Sequence, residues 1–572
     1  TLARDAAKTL AVTGSSGNDT FTYADNNWNT LNTLDGGEGT DTIILADADD
    51  LTTLTAPGAT SIEVLGASTA DTSYYMYTYI PSVTSVASYM GGNNGATTTI
   101  FGGMPSTSTL TVAGDGTDAD GAKIMLAQDT LDDTLNVTLG ATAAGAGLTV
   151  EEILASEVET MTIANGGGST ATLELLDAAS LKSLTLTGAK ALSLTMDTPT
   201  VNITSIDSTG LLALVMTNNT TTKAVTIDAG AYSDTLYGGT KADTINAGGG
   251  IDTIYGGGGA DTINAGAGND IIEGEAGIDT INAGDGNDTI LVEASAAFVS
   301  LTTPELVDGG AGTDTLKFGD GTGSVAFTVA ATDLHKVKGV EKIAMNDDDN
   351  QSITLDNTFF EYGGISSIII DDSNATGTFT VSGATLKAGH ALDVRTSGAA
   401  VVNTLTGGAG DDKFTFDTTA ATSLKATDTV AAKGGTDTLA VSLTANNLNA
   451  VTLTLVSNIE KITVAGSGAL TANITLADGN FVTQTVSGVL YQVDGIVDAS
   501  GMVGSGAFTF SGANEDDSIL NITGGRGADS LTGGSKADTI SGGFGNDTLI
   551  GGAGIDTLHG DAGNDTFTVA TT

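Results

Sequence analysis

Large aliphatic residues recur at a fixed interval along two parts of the chain. Leu236, Ile245, Ile254, Ile263, Ile272, Ile281 and Ile290 are nine residues apart, and each follows an Asp by two positions. Those aspartates are Asp234, Asp243, Asp252, Asp261, Asp270, Asp279 and Asp288. The pattern returns with Asp529, Asp538, Asp547, Asp556 and Asp565, partnered by Leu531, Ile540, Leu549, Leu558 and Phe567. A second period of 18 lies inside the first, because Ile245-Asn246-Ala247-Gly248 recurs at Ile263 and at Ile281. Alternate units therefore share one environment. The simplest geometry is a coil with two nine-residue units per turn, each a short strand and a loop, stacked as parallel strands about 4.8 Å apart. The residue two after each Asp points inward, and Asn246, Asn264 and Asn282 form a ladder on one face.

Elsewhere the pattern is the alternation of half-buried strands. Leu184, Leu186, Leu192, Leu194, Val201 and Ile203 exemplify it, and segments 110–230, 293–405 and 438–520 read the same way. Short helices are expected near Glu151–Ser156 and Asp333–Val337. The fold class is all-β, an elongated parallel β-solenoid (β-helix) with two β-roll segments. The expected regions are an N-terminal solenoid over 1–230, a first array over 231–292, a β-rich solenoid over 293–520 and a second array over 521–572. No Pro/Ser-rich linker interrupts them, which favours one continuous body. Residues 70–105 differ: Tyr74, Tyr75, Tyr77 and Tyr79 crowd beside Met76 and Met90, as either a hairpin packed on the solenoid or a contact patch between subunits.

The loops explain why Asp and Gly share the repeat. Glycines such as Gly238, Gly239, Gly256, Gly257, Gly533, Gly534, Gly542, Gly543, Gly551 and Gly552 let the backbone turn its carbonyls to one side. The Asp adds a carboxylate, and stacking sets two such loops a strand spacing apart. A gap lined by carbonyl and carboxylate oxygens, without nitrogen or sulfur, suits a hard cation, Ca2+ better than Mg2+. Counting gaps between loops 18 residues apart gives about eight array ions. Metal-free, the stacked carboxylates repel one another; metal-bound, the binding energy becomes folding energy. Single loops at Asp19, Asp41, Asp314 and Asp412 are plausible isolated calcium sites, whereas the shortened loop before Asp437 argues against one there.

Composition narrows the function. With 19 Lys+Arg against 69 Asp+Glu the net charge is −50, which opposes binding to nucleic acid or anionic lipid. No apolar run approaches the length of a membrane span. The chain has no Cys, so disulfides, thiolate metal sites and Cys nucleophiles are excluded. None of His335, His390 and His559 lies in a His-Glu-x-x-His motif, and neither a nucleophile elbow nor a phosphate loop is found. The expectation is no catalytic residue, no organic cofactor and no enzyme. The chain begins at Thr1 with no signal-peptide pattern, and reads as a fragment or processed form.

Gly551-Gly552-Ala553-Gly554-Ile555-Asp556-Thr557-Leu558 and Gly542-Gly543-Phe544-Gly545-Asn546-Asp547-Thr548-Leu549 resemble the RTX nonapeptide of secreted bacterial proteins. The resemblance implies a calcium-binding parallel β-roll and type I secretion, although only Thr566 to Thr572 follow the last Asp, so the usual trailing signal is missing or removed. A longer super-repeat narrows the family. The Gly-rich loops of Asp41, Asp314 and Asp437 precede Ile62-Glu63-Val64, Val340-Glu341-Lys342-Ile343 and Ile459-Glu460-Lys461-Ile462, with 22, 27 and 23 residues from Asp to Glu. Glu157-Val158-Glu159-Thr160-Met161 after Asp133 is a fourth copy. This layout resembles the lattice-forming domain of RTX-type S-layer proteins. It implies a structural protein of the bacterial cell surface, extracellular, with itself as partner in a two-dimensional homo-oligomeric lattice. Anchoring to cell-surface polysaccharide would need a region not seen here. The alternatives are a large secreted RTX adhesin or the repeat region of a secreted enzyme.

Overall fold

The computed structural model describes residues 223–292 and 494–569 without a break, most of 306–491, and separate stretches between residues 11 and 221. Almost every described element is a short strand, and nearly all pairings are parallel, as expected. Two units are distinguished, Thr1–Gly286 and Asn287–Thr572.

In the first unit successive strands alternate between two parallel sheets. One sheet runs through Thr134–Ala141, Thr160–Asn165, Ser183–Gly188, Ser205–Leu211, Thr226–Asp228, Thr244–Gly249, Thr262–Ala267 and Thr280–Asp285. The other runs through Leu148–Leu154, Ala171–Leu173, Leu192–Met196, Leu214–Asn219, Thr235–Gly239, Thr253–Gly259 and Ile271–Glu273. Within the array the register is 18 residues: Ile245 pairs with Ile263 and Ile263 with Ile281, while Leu236 pairs with Ile254 and Ile254 with Ile272. Two nine-residue units therefore make one coil.

A nine-residue unit leaves room inside for little more than one aliphatic and one small residue per strand. Leu236, Ile245, Ile254, Ile263 and Ile272 are fully buried, as are Ala247, Ala265 and Ala283. Burying each large side chain contributes roughly 1.5–3 kcal/mol. The outward face carries ladders. Asn264 Nδ2 donates to Asn246 Oδ1 at 2.8 Å, and Asn246 Nδ2 to Asp228 Oδ1 at 2.7 Å. Tyr237 stacks on Tyr255 with ring centroids 4.5 Å apart.

In the second unit the long sheet includes Thr315–Phe318, Lys342–Met345, Ser367–Asp372, Ala391–Thr396, Lys413–Asp417, Thr438–Leu443, Lys461–Gly466, Gly495–Met502, Leu520–Thr523, Thr539–Ser541 and Thr557–His559. Facing strands form two further parallel sheets, the later one through Ala472–Leu476, Phe508–Ser511, Ser530–Thr532, Thr548–Ile550 and Thr566–Thr568. Coils outside the nonapeptides are longer, and phenylalanines fill them: Phe318, Phe379, Phe414, Phe416, Phe508 and Phe510 are all buried. The inward rule weakens in the last coil, where Leu558 is half-buried and Phe567 exposed, since no described coil covers their far side.

Two local expectations change. Of the segment expected to be helical at Glu151–Ser156, Ser156 lies outside the described residues, and residues 151–154 belong to the strand Leu148–Leu154. Its partners skip Glu151, since Asp120 pairs with Val150 and Gly121 with Glu152. This bulge keeps both Val150 and Ile153 buried and breaks the alternation that strand reading relies on. Near Asp333–Val337 the helical part is the 3-10 turn Ala331–Leu334, followed by a strand at Val337–Lys338. An unanticipated α-helix, Asn357–Gly363, is capped by Asp356, whose side chain accepts from the Thr358 and Phe359 amides. Gly364 ends it in the left-handed region (φ 66), and Phe359 and Phe360 bury its inner face. Val201, Tyr74, Tyr75, Met76, Tyr77 and Tyr79 lie outside the described residues, so the tyrosine-rich reading does too; for Met90 only the strand Ser85–Met90 is described.

Candidate metal centre

The repeat aspartates are held in columns, not set loosely in loops. In each column one carboxylate oxygen accepts the backbone N–H of the equivalent residue one coil earlier. Asp252 Oδ1 accepts from Asp234, Asp261 from Asp243, Asp270 from Asp252 and Asp279 from Asp261, at 2.7–2.8 Å. The columns begin with Leu214 donating to Asp234 and Val225 to Asp243. In the second array Phe508 donates to Asp529, Leu520 to Asp538, Asp529 to Asp547, Asp538 to Asp556 and Asp547 to Asp565, at 2.7–3.0 Å. The strand amide would otherwise be an orphan at the start of each pleat, so one oxygen of each of these aspartates is committed to the fold.

The second oxygen is where a cation fits. Oδ2 of Asp243, Asp252, Asp261, Asp279, Asp314 and Asp547 is buried and accepts no hydrogen bond. Carbonyls of the next coil face the same gap. A Cβ placed on Gly256 would lie 2.9 Å from Asp261 Oδ2 and 2.8 Å from the Gly274 carbonyl oxygen, and one on Gly238 would meet Asp243 Oδ2 and the Gly256 carbonyl. Gly542 opens the same kind of gap between Asp547 Oδ2 and the Gly560 carbonyl, whereas at Gly533 the facing Asp538 Oδ2 already accepts the Gly534 amide. In the column of Asp243 and Asp261 only a residue without a side chain leaves that space; before Asp252, in the other column, the equivalent residue is the buried Ala247. Buried carboxylate oxygens without donors, faced by carbonyls, fit a hard divalent cation and nothing softer.

Electrostatics agree. Burial pushes the carboxyls of Asp243 and Asp252 up to about 7, with further upward pressure from Asp261 on the first and from Asp270 and Asp234 on the second. Burial also lifts Asp234 and Asp279 to about 6. In the second array it lifts Asp529 to about 6 and raises Asp538 and Asp547. Carboxyls held this high cost free energy when ionised; a divalent ion removes the cost.

The isolated candidates belong to shorter columns. Asp41 is buried and its Oδ1 accepts from Asp19 at 2.8 Å, while Asp19 Oδ2 accepts from the Ser15 amide at 2.6 Å. Asp314 accepts from Asp288 at 2.8 Å. Asp412 accepts from Leu392 and, through Oδ2, from the Gly408 amide, both at 2.7 Å. Asp437, which the shortened loop argued against, sits in the same column: its Oδ1 accepts from Asp412 at 2.7 Å, its Oδ2 is buried without a donor, and burial lifts it to about 8.

The super-repeat glutamates gain a role that spacing alone left unassigned. Glu159 Oε2 accepts the Asp133 amide at 3.0 Å, Glu341 Oε2 the Asp314 amide at 2.9 Å, and Glu460 Oε2 the Asp437 amide at 2.7 Å. Each therefore occupies the next level of its column, its extra methylene supplying reach where the coil is longer. The visible signal was the Glu one residue after an inward Val or Ile and two before the next inward residue. Asp428 was missed: it accepts from the Asn403 and Lys425 amides at 2.8 and 2.7 Å, with no Gly-rich loop to mark it.

The RTX calcium-binding nonapeptide repeat, in its four-copy form, matches residues 226–254, 237–272, 264–294, 398–417, 523–558 and 541–569. The matched segments contain every array aspartate and Asp412. The chain thus carries RTX nonapeptide repeats, which bind calcium and are typical of secreted proteins. No curated protein matches it. Among the described residues no helix is long and apolar enough to cross a membrane.

Proposed function

We propose that this chain is a structural subunit of a calcium-dependent bacterial surface layer, the lattice-forming part of an RTX-type S-layer protein. Calcium closes the carboxylate columns outside the cell, and the stiffened coils then pack side by side. The observation that carries this reading is that carboxylate columns are not confined to the two nonapeptide arrays. They recur at Asp19–Asp41, Asp133–Glu159, Asp314–Glu341 and Asp412–Asp437–Glu460, and Asp314 and Asp437 keep a buried, donorless oxygen there, so calcium would act beyond the nonapeptide arrays. Exposed apolar residues on the loop crests, Ile251 and Ile278 in the first unit and Phe544 and Ile555 in the second, offer surfaces for self-packing. A net charge of −50 opposes that packing until cations neutralise it. About eight array ions would supply part of this neutralisation. The chain has no enzymatic role in this reading, and any contact with cell-surface polysaccharide lies elsewhere.

The test is a calcium titration of the purified chain followed by circular dichroism, particle size and electron microscopy. Ordered two-dimensional arrays above a calcium threshold are expected. A particle that stays monomeric at every calcium concentration overturns the proposal, and binding of glycans or cells by that monomer would instead favour an adhesin.

A further inference from the structure

The strands Ala472–Leu476 and Phe508–Ser511 pair in parallel, Thr475 beside Ser511, so the turns that follow them are neighbours. The first turn carries Asp478 and the second carries Asn514-Glu515-Asp516-Asp517-Ser518. Neither has the nonapeptide glycine pattern. Asp478, Asp516 and Asp517 are exposed, and each brings a carboxylate oxygen within 4.8 Å of the others. Calcium ligands at 2.3–2.6 Å from the ion stand no more than about 5 Å apart, so the three oxygens fit around one ion.

Three like charges on an acidic surface would mean little alone. Glu515 supplies the independent observation. It is fully buried within the same turn. Its Oε1 accepts the Asp517 and Ser518 amides at 3.3 and 3.2 Å, which fixes its carboxylate beneath the backbone bearing the acidic pair. Its Oε2 is buried with no hydrogen-bond donor. Burial raises this carboxyl, and Asp478 and Asp517 raise it further. The next coil pins the turn: Ser535 N donates to the Glu515 carbonyl and Ser535 Oγ to the Asp516 carbonyl, both at 3.1 Å. Ser535 belongs to the loop that leads to Asp538, so the acidic turn lies directly against the first nonapeptide loop of that face.

We infer that Asp478, Asp516 and Asp517, backed by Glu515, form a further binding site for a hard divalent cation, calcium above all, outside the nonapeptide repeats. The ion joins two coils that the chain separates by 30 or more residues, including the antiparallel hairpin Gln484–Val486 and Val489–Tyr491. The face that binds cations in the second array thereby extends beyond its glycine loops. The site does not depend on lattice formation.

The test uses the full chain with the Asp516→Asn/Asp517→Asn double substitution and, separately, Asp478→Asn from the other coil. Both keep side-chain size at exposed positions. Bound calcium is counted by equilibrium dialysis, and melting is followed in calcium and in chelator. Each variant should bind about one ion fewer. Each should melt about 1–3 °C lower than the parent in calcium yet no lower in chelator, where only repulsion has been removed. An unchanged ion count in either variant overturns the site, as does a melting point raised in both media. Asp261→Asn, within the first array, should lose calcium whatever happens at the acidic turn, so failure here is separable from failure of the repeat sites.

Discussion

The two nonapeptide arrays share one sequence pattern but hold their carboxylates differently. Before Asp243, Asp252, Asp261 and Asp279 the residue four positions earlier has positive φ: Gly239 at 137, Gly248 at 101, Gly257 at 93 and Glu275 at 61. Its N–H turns away, and the Asp Oδ2 faces the gap with no donor. At the start of the second array the equivalent Gly525 and Gly534 lack positive φ, and their amides donate to Asp529 and Asp538 Oδ2 at 2.6 Å. Asp412 with Gly408 and Asp19 with Ser15 adopt this closed form too. Later in the second array Gly543 and Gly552 return to positive φ. The nonapeptide loop thus has an open form, whose carboxylate awaits a cation, and a closed form, whose carboxylate is satisfied by its own loop. One backbone torsion separates them.

Removing calcium should break the symmetry most. Open loops would be left with ionised, donorless carboxylates, whereas closed ones keep an internal hydrogen bond. Amide exchange in 247–261 is expected to quicken by about 100-fold or more on chelation, against about tenfold or less in 524–538. Equal acceleration would show that the two forms are energetically alike.

A side chain at the turning residue sharpens the contrast. Gly257→Ala places a Cβ at positive φ and 2.1 Å from the Gly239 carbonyl oxygen, while Gly525→Ala, without positive φ, meets Met502 Cβ at 3.0 Å and the Met502 and Ala499 carbonyl oxygens at 3.2 and 3.3 Å. Denaturant unfolding in calcium should register a loss of about 1–3 kcal/mol for the first and under about 1 kcal/mol for the second.

Acidity acts in a defined direction. Asp243 and Asp252 sit at about 7 in the fold and near 4 in an unfolded chain. A raised carboxyl favours the protonated fold, so the calcium-free array is penalised above pH 7 and the penalty fades as pH falls from 7 toward 4. Calcium binding needs the ionised form, so its apparent affinity should drop by about tenfold between pH 8 and 6. A titration flat over that range would contradict the burial of these groups.

The smallest expected effect is a gain. Glu275, Lys433 and Asp561 occupy the turning position with φ of 61, 81 and 63, where other open loops have glycine. Glu275→Gly should add about 0.5–1 kcal/mol in calcium by relieving left-handed strain. Thermal unfolding of the single variant would detect it.

Much of this was legible in the sequence, because the repeat encodes it twice. The spacing of nine set the strands and the spacing of 18 set the coil, so the Asn246–Asn264 ladder and the inward Ile column followed directly. What stayed hidden was local. The open loop at Gly256-Gly257 and the closed loop at Gly524-Gly525 both begin with two glycines, and glycine permits either sign of φ, so Gly257 and Gly525 look alike in letters. Glu151 sits in a bulge, where alternation lapses. The helix Asn357–Gly363 had readable ends in Asp356 and Gly364, but two turns of helix give too short a period to stand out from strand alternation. The glycine count of its loop argues against Asp437, but its place in the column is set by the coil above and below.

The shared hydrogen bond between coils runs one way only: the later tier reaches back to hold the earlier one. Asp261 steadies the peptide of Asp243, and Asp279 that of Asp261, never the reverse. Order can therefore spread along the stack like a ratchet, each arriving tier locking its predecessor while offering an unlocked amide to its successor. A stack built this way has a sense of direction even though its repeats are nearly identical.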